Sequence, residues 1–381
     1  MWRTLVFVVA LIGLVASSST ADALTYSRKV CATSPSAGNA RCHAIVDIPN
    51  GIEPQVSSQP KGYGPSDFRS AYGVTGSANP HVGIVVAYDA PDIASDVNTY
   101  SKTFGLASLP SCTSSKQTGC FEKFDEHGGT SYPARNSSWA VEASLDVESA
   151  HGMCPGCRIS LVEASSASMN DLATAVDTAA AKGGKVISNS YGEPESAGET
   201  AYDSHYNKPG ITTVVSSGDD GYGTEYPAAS PAVVAVGGTS LTMNGSKVKS
   251  EVAWNGSGSG CSQFELKPSW QHDKKCTKRS IADIAADADP NTGAAIYDSY
   301  TNSGHTGWFT VGGTSLAAPL VAGILAVSGN AAAQPAALYS SHGSIRDITS
   351  GDNGSCSTYL CEAGVGYDGP TGLGVLAASR L

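Results

Sequence analysis

Ser315 stands in Gly312-Gly313-Thr314-Ser315-Leu316-Ala317-Ala318-Pro319, a stretch that runs on into the apolar segment Leu320 to Val327. Two glycines and a small polar pair ahead of an Ala/Leu/Val/Ile run read as a tight turn feeding a buried helix. A hydroxyl there lies beside the unpaired N–H groups and positive dipole end of that helix, which favour developing negative charge. Pro319 suits a first turn, where a missing N–H costs little. Taken alone, Ser315 reads first as a helix N-cap, and only the rest of the chain tips it toward a nucleophile. Five of the same residues recur at Gly237-Gly238-Thr239-Ser240-Leu241, but there the chain continues as Thr-Met-Asn-Gly, a strand and turn pattern. Ser240 therefore lacks the helix terminus, and Ser315 is the candidate nucleophile of the two.

A serine nucleophile needs a base within hydrogen-bond reach and a group that stabilises the oxyanion. Glu142 and Asp146 lie four apart on a predicted helix, Trp139 to Gly152, and so share a face. Like charges at that spacing cost roughly 0.2–0.5 kcal/mol. The cost disappears if the two share a proton, as a carboxylate dyad does; the alternative is a solvated acidic face. Asp219 follows a predicted strand, Ile211 to Ser216, in Ser217-Gly218-Asp219-Asp220-Gly221, where ordinary turn chemistry is the competing reading. A Ser-His-Asp arrangement of Asp89, His151 and Ser315 is the nearest rival. His151, however, lies about 13 Å along the same helix from Glu142, so both cannot face one serine.

The elements that must position these groups alternate. Strands are expected at His81 to Tyr88, Arg158 to Glu163, Lys185 to Tyr191, Ile211 to Ser216 and Ala232 to Val236. Helices are expected at Asp92 to Phe104, Trp139 to Gly152, Ser168 to Ala181 and Thr200 to Asn207. Short β-branched runs between amphipathic helices indicate an α/β fold with a parallel, doubly covered sheet. Active groups in such sheets lie at strand carboxyl ends. Met243 to Gly312 reads as looser, with Asp283, Asp287 and Asp289 as loop caps. Gly343 to Gly374 has almost no periodicity.

With 381 residues, 41% hydrophobic and 15% charged, the chain can bury one large core. A net charge of −11 without a Lys/Arg cluster argues against nucleic acid or an anionic membrane as partner. Met1 to Ala23 has the form of a secretory signal, with Leu5 to Val15 too short for a membrane span, so the chain is expected to be secreted. Residues 24–61 read as an irregular N-terminal arm stapled by one disulfide. The 10 cysteines behind a leader suggest bridges between sequence neighbours: Cys31/Cys42, Cys112/Cys120, Cys154/Cys157, Cys261/Cys276 and Cys356/Cys361.

At Glu142-Ala143-Ser144-Leu145-Asp146, Ser217-Gly218-Asp219 and Gly313-Thr314-Ser315 with Pro319, the sequence resembles the sedolisins, secreted serine-carboxyl peptidases active in acid. Tyr226 to Pro231 and the tail extend the resemblance over most of the chain from Gly62. It implies a subtilisin-like fold with a single peptidase domain at 62–381, acting as a monomer on polypeptides. It further implies Ser315 as nucleophile, Glu142 as general base and acid, Asp146 as its orienting partner and Asp219 as oxyanion donor. The likeness to subtilisin-like folds suggests that Ser190, Tyr191 and Gly192 pair with the substrate backbone. In the tail, Asp347 and Asp368 with the carbonyls of Ile348, Gly364 and Gly366 resemble the family's single calcium loop, oxygen donors suited to a hard cation. Members often carry a long folded propeptide, for which the arm is too short. An ionised Glu142 and a protonated Asp219 overlap at roughly pH 3–5 if both keep near-reference pKa values. A catalytically dead binding protein on the same scaffold is the rival from another class.

Overall fold

The computed structural model describes residues 25–31, 36, 38–49, 59–76, 78–302, 304–329, 335–340 and 344–377; the leader at 1–23 lies outside them. Parallel strands form the centre, in the spatial order Ile284–Asp287, Val234–Asn244, Thr212–Ser216, Val186–Asn189, His81–Ala87, Arg158–Ala164 and Cys120–Asp125. Val375–Leu376 adds in parallel beyond Ile284–Asp287, and Ile345–Arg346 closes that edge antiparallel. Every residue of Arg158–Ala164, Val186–Asn189 and Thr212–Ser216 is buried. Both sheet faces are therefore covered, which is why these strands are continuously apolar or small instead of alternating.

Two helices carry the site. Ser137–Met153 starts where the Asn136 side chain accepts from the Ser138 and Trp139 amides, satisfying two of the orphan donors of the first turn. All its residues from Trp139 onward are buried, so it is a core helix and the solvated-face alternative for Glu142 and Asp146 does not apply. Thr314–Val327 is buried throughout. It packs against Ser137–Met153 and against the strands at the middle of the sheet. Gly313 enters it at φ 91, left-handed backbone that glycine adopts without strain.

Several expectations are corrected by tertiary contacts. Pro319 lies beyond the first turn of its helix, so the Ser315 carbonyl loses its helical donor and instead takes a 3.4 Å bond from Ser190 Oγ. The run Lys185 to Tyr191 breaks at Ser190 into Val186–Asn189 and a separate strand, Tyr191–Pro194. The strand begun at Ala232 runs on as Val234–Asn244 through Ser240, whose hydroxyl bonds Asp289. The supposedly loose region holds Lys247–Ala253, Gly260–Leu266, Lys278–Ile281, Ala294–Asn302 and His305–Gly312 as strands. Asp289 does cap a turn, accepting from the Asn291 amide. Asp283 and Asp287 do not: both are fully buried. The arm also is not irregular, because Thr25–Lys29, Arg41–Cys42 and Ile45–Pro49 are strands built into the body. All five expected disulfides are present.

Candidate active site

Ser315, Glu142, Asp146 and Ser190 are at most 1% exposed, and Asp219 is 7% exposed. Ser315 and Glu142 sit on the two packed helices, and Asp219 follows Thr212–Ser216 at the carboxyl end of the sheet. The Ser315 hydroxyl donates to the Ser190 carbonyl at 3.3 Å. It also lies against the Glu142 carboxyl, as does the Ala44 amide, both at a geometry short of a formed hydrogen bond. Such looseness is common until a substrate tightens the site. Behind Glu142, Asp146 Oδ1 accepts a 2.6 Å bond from Ser190 Oγ.

Burial, and next the charge of Asp146, hold Glu142 well above the ordinary carboxylate range. Burial does the same to Asp146 against the opposing bond from Ser190. Among the described residues no ion pair neutralises either acid, so the two cannot readily ionise together and act as a proton store. Asp219 stands apart from them: its Oδ1 accepts from the Thr314 amide at 2.7 Å and the Thr314 hydroxyl at 2.9 Å. Burial pushes Asp219 up to about 6, against the pull of His43 and the Thr314 donors. A Cβ added to Gly313 would lie 2.8 Å from Asp219 Oδ2, so this oxygen faces the turn that delivers the serine.

A subtilase family model matches residues 129–349. Sedolisin of Pseudomonas sp. (strain 101) is 30% identical over 369 residues, 84% of this chain and 61% of that protein. Kumamolisin of Bacillus sp. (strain MN-32) is 30% identical over 282 residues, 63% of this chain and 50% of that protein. The solved structure of Pseudomonas sedolisin, a serine-carboxyl proteinase complexed with two molecules of pseudo-iodotyrostatin, superposes with TM-score 0.70 at 28% identity, covering 85% of this chain and 97% of that one. The chain belongs to the subtilase family, and within it to the sedolisins. It spans about half to three fifths of the length of the curated sedolisins it matches. A lanthipeptide protease at TM-score 0.52 and 14% identity shares the fold alone.

Nothing brings the rival triad together in this sedolisin fold. Asp89 pairs with Lys123 at 2.5 Å. The His151 ring contacts the Ala107 carbonyl at 3.3 Å, and burial lowers its pKa to about 4. Spacing along one helix had already separated it from Glu142.

In the tail, four of the expected metal ligands, Asp347, Gly364, Gly366 and Asp368, contact one another in pairs. The Gly364 amide donates to Asp368 Oδ2 at 3.0 Å and the Gly366 amide to Asp347 Oδ2 at 2.8 Å. Asp368 is buried, and burial with the added charge of Asp347 raises its pKa to about 7. Among the described residues no group of three or more His, Cys, Asp or Glu is gathered as for a metal, so a cation here would draw on two carboxylates and backbone carbonyls. An all-oxygen set with a buried carboxylate that lacks a basic partner among the described residues fits a hard divalent cation.

Four contributors escaped the sequence reading: Thr314 as the holder of Asp219, the Ser190 hydroxyl as the partner of Asp146, and His43 and Ala44 from the arm. Ser190 was expected to offer only its backbone, and the break in its strand could have suggested more. Nothing in the arm's spacing signals that it reaches Ser315.

Proposed function

We propose that the chain is a secreted serine-type endopeptidase that hydrolyses peptide bonds in acid, with Ser315, Glu142, Asp146 and Asp219 as its chemical groups. The observation that carries this reading is the contact of the Ser315 hydroxyl with a buried carboxyl, Glu142, backed by a second carboxyl, Asp146, instead of a histidine. Ionised Glu142 accepts the serine's proton as Oγ attacks the substrate carbonyl carbon, and returns it to the departing amine. Asp146, oriented by Ser190, holds the dyad's other proton. Protonated Asp219 donates to the oxyanion in a site closed to water, where such a bond is worth most. An extended substrate backbone pairs along Ser190, Tyr191 and Gly192.

The proposed pH window is the overlap of a singly ionised Glu142–Asp146 dyad and a protonated Asp219. With Asp219 at about 6 and Glu142 shifted upward, the window moves above the roughly pH 3–5 that unperturbed groups imply. It stays acid because Asp219 loses its donor as the pH rises past its pKa. Residues 62–381 form the peptidase domain in this reading, residues 24–61 its arm and residues 1–23 a cleaved leader. One calcium ion, held by Asp347, Asp368 and the carbonyls of Ile348, Gly364 and Gly366, ties down the tail. Among the described residues no helix is long and apolar enough to cross a membrane. The protein is taken as a monomer that acts on polypeptides. The deciding experiment is a pH–rate profile on a denatured protein substrate with wild type, Ser315→Ala and Glu142→Gln. Acid-limited hydrolysis lost in both variants is expected; full activity in Glu142→Gln, or an optimum above about pH 7, sinks the assignment.

A further inference from the structure

Asn-X-Ser sequences stand at Asn136, Asn244, Asn255 and Asn353, the acceptor pattern for N-linked oligosaccharide in a chain that enters a secretory lumen. The fold sorts the four. Asn353 is 3% exposed, and its Nδ2, the atom that would carry sugar, donates both to the Ser257 carbonyl and to Ser259 Oγ. A sugar there breaks buried hydrogen bonds and needs room inside the fold. Asn136 is half-buried, with its Oδ1 accepting from two amides at the start of Ser137–Met153. Asn244 and Asn255 differ from both. Each is exposed, and among the described residues neither side chain makes a hydrogen bond.

These two asparagines bracket one strand. Asn244 ends Val234–Asn244 and opposes Lys247 across the tight turn at Gly245 and Ser246, where Gly245 takes φ 59. Such a hairpin tip stands clear of the body. At the other end of the partner strand Lys247–Ala253, Asn255 follows after Trp254. It lines a hollow of about 540 Å³ together with Ser240, Trp254, Asp289, Asn291 and Asp352. One aromatic ring among several polar groups suits the C–H face and the hydroxyls of a sugar. Lys247–Ala253 pairs with Val234–Asn244 on one side; on the other, among the described residues, only Ala253 pairs onward, with Gly351. A bare strand edge is a template for another chain, and exposed lysines such as Lys247 and Lys249 are one guard against it. Bulky, solvated groups at both ends are a second.

We propose that Asn244 and Asn255 are N-glycosylated, that Asn353 is not, and that the two oligosaccharides shield the open edge of Lys247–Ala253. This rests on the secretion reading above and not on the catalytic one. The donor is a lipid-pyrophosphate-linked oligosaccharide: Nδ2 of the asparagine bonds to C1 of the first sugar, and the bond from C1 to the pyrophosphate oxygen breaks. The lipid pyrophosphate leaves with that electron pair, and the proton lost by Nδ2 passes to the transferase. Transfer precedes folding, so the hydroxyl of Ser257, third residue of the Asn255 sequence, is accessible at that stage. Afterwards it packs against the Gly238 amide and the Pro370 carbonyl, each at 2.8 Å. Folding excludes sugar at Asn353, because a chain modified there cannot seat Nδ2 between Ser257 and Ser259. The first sugars on Asn255 rest in the hollow beside Trp254, and those on Asn244 extend from the hairpin tip.

The full chain with its own leader, expressed in a yeast secretory host, provides the test. Secreted protein is treated with peptide N-glycosidase in heavy-oxygen water and mapped by peptide mass. A heavy-oxygen label is expected at Asn244 and Asn255 and not at Asn353. Asn244→Gln and Asn255→Gln should each remove one step of gel mobility, and Asn353→Gln none. Enzymatic removal of the sugars from folded wild type, which needs no variant to fold, should raise the rate of aggregation on warming and leave hydrolysis of a peptide substrate unchanged. Secreted protein unlabelled at Asn244 or Asn255, or labelled at Asn353, overturns the assignment. Equal aggregation with and without sugar overturns the shield. A chain kept inside the cell without label defeats the leader reading instead, and the same chain behind the host's own leader then decides the sites by the same label.

Discussion

Arg279 and Asp283 are as deeply buried as Glu142 and Asp146, yet the two pairs are built on opposite principles. The Arg279 guanidinium grips Asp283 through two bonds at 2.6 and 2.8 Å, and the Ala235 amide and Tyr339 hydroxyl complete the carboxylate's shell. Charge there is matched by charge, and the pair locks Lys278–Ile281 to Ile284–Asp287 across their junction. Glu142 and Asp146 receive a single formed hydrogen bond, from Ser190, and both Glu142 oxygens lack one. A buried acid without a cation favours its neutral form. It costs stability, and in exchange it can hold or release a proton where a matched ion pair cannot. Incomplete compensation at full burial therefore separates the groups suited to chemistry from those that hold the fold.

The largest effect expected is on turnover. Ser315→Ala and Glu142→Gln should each lower kcat by about 10⁴-fold or more, as removal of members of a catalytic unit does. Neither should lower the melting temperature, since Gln in place of an uncompensated acid relieves a penalty. A Glu142→Gln protein that melts well below wild type would erase the contrast.

The opposite outcome is expected at the other pair. Arg279→Met strands a buried carboxylate and should cost about 3–5 kcal/mol in urea denaturation near neutral pH, with kcat per folded molecule retained. Replacing Arg279 and Asp283 together with apolar residues should recover most of that loss. If the double replacement is as damaging as the single, the pair does more than neutralise itself.

The tail lies between these extremes under the calcium reading proposed above: Asp368 is buried without a basic partner among the described residues, Asp347 beside it is exposed, and a cation would compensate both. Chelation should lower the unfolding free energy by about 2.7 kcal/mol, taking calcium at a hundredfold excess over its Kd as the starting point. The sign with pH follows from Asp368, whose pKa is raised to about 7. A carboxyl raised on folding favours the native state below its unfolded pKa and loses that advantage as the pH rises through the folded value. The chelator effect should therefore grow between about pH 5 and 8 and vanish in Asp368→Asn. A thermal melt indifferent to chelator at every pH would remove the calcium site.

The smallest change is expected from Asp219→Asn. An amide still donates to the oxyanion, so the loss at the optimum should stay well short of the roughly 10²–10³-fold that deleting such a donor costs. The alkaline limb near pH 6, the pKa that burial gives Asp219, should broaden upward because an amide donates at any pH. An alkaline limb unmoved in this variant would assign it to another group.

The candidate groups Ser315, Glu142, Asp146 and Asp219 were singled out by local signals: a glycine turn before an apolar run, an i,i+4 pair and a Ser-Gly-Asp at a strand's end. Each of these also had an ordinary structural reading, and the resemblance to the sedolisins is what joined them into one site. The parallel sheet was legible from local pattern, through continuous β-branched runs of helix-sized spacing. The five disulfides followed from cysteines close enough in sequence to leave little choice. The strands of 243–312 and the burial of Asp283 and Asp287 were not legible. Their patterns are polar and glycine-rich, and what makes them strands is pairing with partners distant in sequence, an information source that local propensity lacks.

The sequence by itself determined which groups could react and which kind of sheet would carry them, since both depend on residue type and short-range spacing. Only the tertiary structure decided how those groups are poised. Packing Thr314–Val327 against Ser137–Met153 desolvates the dyad, Thr314 turns Asp219 toward the serine turn, and the arm returns from well over a hundred residues away in sequence to set His43 beside Asp219. Each of these depends on solvent exclusion or on contacts between segments far apart in the chain, and neither is encoded in a local pattern.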